Sequence, residues 1–108
     1  MREVLTEKEE ILQILRAELP YLSEKYGVER IAIFGSFAKG EQTRKSDLDI
    51  LVHLGRPLGL GFIELACYLE DALGKKVDLT TFGHLKRSME NPRYKHIAKD
   101  IEEALIYV

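Results

Sequence analysis

From Ile31 to Leu54 the chain reads IAIFGSFAKGEQTRKSDLDILVHL. Ile31 to Phe34 is a continuous apolar run, the pattern of a strand buried on both faces. Gly35-Ser36 interrupts it, and after a basic loop aliphatic residues resume from Leu48 to Leu54. Aspartate is poorly suited to a strand, yet Asp47 and Asp49 stand at the start of this one. Strand alternation puts Asp47, Asp49, Leu51 and His53 on one face, and Leu48, Ile50, Val52 and Leu54 on the other. Two carboxylates side by side repel unless one takes up a proton or a cation lies between them. Packing alone does not account for such a pair, so this stretch constrains both fold and function.

The rest of the chain supplies what a small α/β domain needs. Thr6-Glu7-Lys8-Glu9 has the spacing of a capping box, and Ile11, Leu12, Leu15 and Leu19 follow at helical spacing. Pro20 is expected to end that helix near Leu19 or to open a second one, and Gly27 to cap the segment. Strands are expected at Val28–Phe34, Asp47–Leu54 and Lys76–Phe82. Between the last two, Phe62, Leu65, Ala66, Leu69, Ala72 and Leu73 form an apolar helical face closed by Gly74. Asn91-Pro92 suggests a helix start, with Tyr94, Ile97, Ala98, Ile101, Ala104 and Leu105 at helical spacing. Ile106-Tyr107-Val108 fits a helix end or a short added strand. The expectation is one α/β domain over residues 1–108: a small mixed sheet with helices packed on one side and the carboxylate face open.

Composition narrows the function. Sixteen basic and eighteen acidic residues give a net charge of −2, so no broad polyanion footprint exists and no stable nucleic-acid binding is expected. No apolar run approaches the roughly 20 residues of a membrane span, and MREVLTEKEE lacks the apolar stretch of a signal peptide. Cys67 is the lone cysteine and cannot form an internal disulfide. A cytoplasmic protein without membrane partners is expected.

Three carboxylates carry the chemistry. Hard oxygen ligands such as Asp47 and Asp49 suit Mg²⁺, which is commonly held by one or two carboxylates plus substrate phosphates. Asp78, in KVDLTTF, is the candidate third ligand of a two-metal site with ions about 3.5–4 Å apart. Gly35 allows close approach of a phosphate, and Ser36 adds a hydroxyl donor. Lys39, Arg44 and Lys45 could neutralise a triphosphate, Arg44 through two parallel hydrogen bonds; a solvated basic loop is the alternative.

Gly35-Ser36, ten residues, then Asp47-Leu48-Asp49 is similar to the GS-x10-D-x-D signature of the DNA polymerase β-like nucleotidyltransferases. The intervening text, GSFAKGEQTRKSDLDILV, resembles the minimal nucleotidyltransferase (MNT) branch, and KVDLTTF sits where that family has its third aspartate. Lys39 stands where arginine is common, which keeps the charge. The resemblance implies that Gly35 and Ser36 hold the triphosphate of ATP. It assigns Asp47, Asp49 and Asp78 as catalytic and as ligands of two Mg²⁺ ions, with Asp78 helping to activate the attacking hydroxyl.

Only about 25 residues follow the third strand, too few for the acceptor-gripping domain of larger relatives, so the acceptor is expected on a partner or to be small. In the MNT family that partner is a HEPN-type RNase toxin. The implied role is an antitoxin that transfers AMP to a tyrosine of the toxin. Two alternatives are neutralisation by tight binding alone and transfer to a small molecule, as in antibiotic-modifying relatives.

Overall fold

Thr6 starts the first element. Its hydroxyl oxygen accepts the backbone N–H of Glu9 at 3.2 Å and donates to the Glu9 carboxylate at 3.0 Å. This is the capping spacing expected of the sequence, with the glutamate meeting the threonine side chain rather than its backbone. The computed structural model describes residues 6–41 and 47–108; Arg44 and Lys45 lie outside these. Helix α1 runs from Glu7 to Tyr26 with Pro20 inside it, so the expected break at Leu19 does not occur. Leu15, Leu22 and Tyr26 are buried on either side of the proline, and packing of this continuous apolar face outweighs the lost intrahelical hydrogen bond. Gly27, at φ 71°, closes the helix in the left-handed conformation.

Strand β1 (Val28–Phe34) leads into the five-residue helix α2 (Gly35–Lys39), and β2 spans Leu48–Leu54. Helix α3 (Gly61–Leu73) crosses to β3 (Val77–Thr81), followed by α4 (Phe82–Glu90), α5 (Lys95–Glu103) and β4 (Ile106–Tyr107). The sheet order is β3-β2-β1-β4. β1 pairs antiparallel with both β2 and β4, whereas β2 and β3 are parallel. A parallel pair requires a crossover, and α3 supplies it. The expected mixed α/β sheet is therefore present, with Ile106-Tyr107 as an added edge strand.

The layering departs from expectation. One face of the sheet carries the main core, in which Ile11, Leu15, Leu22, Leu65 and Leu69 of α1 and α3 meet Ile31, Ile33, Leu48, Ile50 and Val52. Helices do not stop at that face. Phe34 and Leu51 on the opposite face pack with Leu85 of α4 and Ala98 of α5, flanked by Phe82, Met89, Ile101 and Leu105. The carboxylate-bearing face is thus partly roofed. Helix α4 was not anticipated as a separate element. Thr81 caps it by accepting from the His84 N–H at 3.1 Å, and Asn91 bonds the Arg93 N–H at 3.0 Å in a turn before α5 rather than capping that helix.

Candidate functional site

The site is assembled by strand register. Asp49 pairs with Phe34 across the antiparallel β1–β2 ladder and with Asp78 across the parallel β2–β3 ladder. In a sheet, directly paired residues project from the same side, so Asp49 and Asp78 are lateral neighbours. Asp47 lies one alternation earlier and is exposed, as is Asp78; Asp49 is half-buried.

Gly35 follows Phe34 and turns the chain into α2 with φ 71°, a conformation that side chains disfavour. A Cβ on Gly35 would overlap the Asp49 carboxylate. The glycine is therefore required twice, for its backbone angle and for the space Asp49 occupies. Ser36 is half-buried beside it, and Lys39 is exposed at the end of α2. The structure thus brings Gly35, Ser36, Asp47, Asp49 and Asp78 to one end of the sheet.

Electrostatics at this end are strained. The Asp49 carboxyl is pushed up to about 6 from 3.8, first by burial, then by the charges of Asp78 and Asp47 and a hydrogen bond with Asp78. Three carboxyl groups thus act on one another in one small region, hard oxygen donors of the kind that suit a divalent cation. Among the described residues no three such side chains converge into a finished metal cage. Mg²⁺ does not demand one, because waters and substrate phosphates complete its shell.

Sequence reasoning missed the wall next to Asp78. A cleft of about 260 Å³ runs between the sheet and the α4–α5 pair, lined by Asp78, Thr80 and Phe34 and by His84, Leu85 and Ser88 of α4. The signal was available: Phe82, Leu85 and Met89 fall at i, i+3 and i+7 after Thr81, though Gly83 obscures it. His53, on the carboxylate face but farther along β2, is occupied structurally. It stacks on Phe82 at 4.3 Å and shares a 2.6 Å hydrogen bond with the Tyr107 hydroxyl.

The profile of the nucleotidyltransferase domain family matches residues 9–108. A Methanocaldococcus jannaschii protein, provisionally named a protein adenylyltransferase, is 53% identical over 100 residues, covering 92% of this chain and 95% of the relative. Protein adenylyltransferase MntA of Thermococcus cleftensis is 43% identical over 101 residues, covering 93% and 94%. Among solved structures, a toxin–antitoxin with AMP-PNP superimposes with a TM-score of 0.51 and 34% identity, over 73% of this chain and 57% of that one. With a glycine–serine turn against Asp49 and Asp49 in register with Asp78, the chain belongs to the nucleotidyltransferase domain family and is a nucleotidyltransferase.

Proposed function

We propose that this protein is an Mg²⁺-dependent protein adenylyltransferase that moves AMP from ATP onto a tyrosine hydroxyl of a HEPN-type toxin, and so acts as its antitoxin. The observation that carries the reading is the position of Asp49, between the Gly35 turn on one side and Asp78 on the other. Two relatives named as protein adenylyltransferases support the protein acceptor. A neighbour described as a toxin–antitoxin with AMP-PNP supports both the nucleotide and the partner.

In this reading Gly35 lets the backbone approach the triphosphate, and the Ser36 hydroxyl donates to it. Lys39, Arg44 and Lys45 add positive charge. Mg²⁺, as two ions held by Asp47, Asp49 and Asp78, would supply positive charge to the phosphates and the departing pyrophosphate. Asp78, exposed at the edge of the trio, accepts the proton of the attacking hydroxyl. The new bond joins the tyrosine oxygen to the α-phosphorus. The bond from that phosphorus to the α,β-bridging oxygen breaks, and pyrophosphate leaves with the electron pair. Asp49 is the half-buried member, held by strand register beside Asp78 and against Gly35.

The test is incubation of the protein with labelled ATP, Mg²⁺ and its toxin partner. Wild type is expected to label the toxin, and Asp47→Asn with Asp49→Asn is expected to lose labelling. Equal labelling by the variant would defeat the assignment.

A further inference from the structure

The cleft beside Asp78 lies where an in-line displacement requires the acceptor. Attacking and leaving oxygens stand on opposite sides of the phosphorus. With pyrophosphate held at the Gly35–Ser36 side of Asp49, the nucleophile approaches from the Asp78 side. The cleft opens there: Phe34 and Thr80 form its floor, and Leu85, Ser88, Ala98 and Ile101 its walls. Its volume of about 260 Å³ falls below the ~300–1,000 Å³ typical of pockets that enclose whole small ligands. That is ample for one aromatic ring. At its rim, Tyr94 and Ile97 remain 47% and 61% exposed, an apolar lip of the kind that meets a protein surface.

We propose that this cleft seats the aromatic ring of the acceptor tyrosine, with Asp78 at its mouth and Tyr94 and Ile97 contacting the partner around it. The inference rests on the adenylyl-transfer reading above and adds where the acceptor binds. The phenol oxygen bonds to the α-phosphorus, its proton passes to the Asp78 carboxylate, and pyrophosphate departs from the far side. The apolar walls exclude water from the phenol and so disfavour hydrolysis of ATP in place of transfer.

Two variants test it in the full chain with its protein partner: Ser88→Trp, which fills the cleft, and Ile97→Asp, which charges the exposed rim. Each is assayed for AMP transfer to the partner and, separately, for binding of AMP-PNP with Mg²⁺. The expected result is a loss of at least about tenfold in kcat/KM for the partner with AMP-PNP affinity unchanged, which also shows that the variants fold. Transfer at the wild-type rate by both variants would overturn the cleft assignment while leaving adenylyl transfer intact. Loss of AMP-PNP affinity in both would overturn it as well, by placing the nucleoside in the cleft. If wild type itself labels no partner, the functional reading fails and this inference falls with it.

Discussion

Gly35 and Asp49 are fitted to one another: the glycine takes a positive φ, and the carboxylate fills the space a side chain would need. Gly35→Ala therefore meets both backbone strain and overlap. It should destabilise the fold by roughly 1–3 kcal/mol and reduce AMP transfer by about 10²-fold through displacement of Asp49. Urea denaturation and a transfer assay read the two effects. Asp49 itself should show a trade-off. Its carboxyl titrates near 6 in the folded chain against 3.8 for the ordinary group, so the folded state binds the proton more tightly than the unfolded one. The resulting penalty is full above about pH 6, is relieved as pH falls, and vanishes below about 4. In EDTA at pH 7.5, Asp49→Asn should be more stable than wild type by about 1 kcal/mol, a figure discounted for the partial exposure of the group. The gain should disappear at pH 4, and the variant should be inactive. A destabilised Asp49→Asn protein at pH 7.5 would show that the carboxylates do not oppose one another.

At the scale of elements, the second anchor is the cluster that joins four of them. His53 of β2 bonds Tyr107 of β4 and stacks on Phe82 of α4, while Arg30 of β1 lies 3.8 Å over the Tyr107 ring. Burial first, then the Arg30 charge, push the His53 pKa down. The folded state thus holds the proton less tightly than the unfolded chain, so this contribution is full above about pH 6.5 and is lost below it, as pH falls toward the lower pKa of the folded state. The sign is opposite to that of Asp49, and the two windows overlap. Substituting each separately resolves them: His53→Gln should flatten the loss of stability between pH 7 and 5.5 in thermal melts. Tyr107→Phe, which leaves the imidazole without its partner, should cost about 1 kcal/mol at pH 7.5.

Elements also differ in how legible they were. β1 and β2 could be read from aliphatic runs, β3 from a short β-branched stretch, and α3 from one apolar stripe closed by Gly74. Asp49 could be named from its spacing to Gly35-Ser36, and Asp78 as the carboxylate that breaks the third strand and matches the resembled family's third aspartate, but only the parallel β2–β3 register makes them neighbours. Two features resisted. Pro20 signals a helix end locally, yet the apolar residues on both sides of it bury against the sheet, and that packing decides. Helix α4 carries Gly83 near its start, and its face, Phe82, Leu85 and Met89, covers a sheet surface whose own residues alternate with aspartates. Reading that surface as open to nucleotide hid the α4–α5 roof and with it the cleft.

For the molecule as a whole, the proposed nucleotide site lies at one end of the sheet, and apolar residues stand exposed beside it. Ile97 and Tyr94 flank the cleft and remain exposed. No helix among the described residues is long and apolar enough to cross a membrane. Exposed apolar side chains around a catalytic cleft suit a protein acceptor, and they separate recognition from chemistry. A variant with both Asp47→Asn and Asp49→Asn should still co-purify with its partner while transferring nothing. If that silent complex protects cells as well as wild type does, neutralisation by binding replaces neutralisation by modification.

The central claim is that these carboxylates move AMP onto a partner protein. Its most direct test is co-expression with the toxin partner followed by intact-mass measurement of both chains. The account predicts that the partner gains the mass of one or more AMP groups on tyrosine with wild type and none with the double-aspartate variant. An unmodified partner beside wild type, or the same mass gain beside the variant, would contradict it.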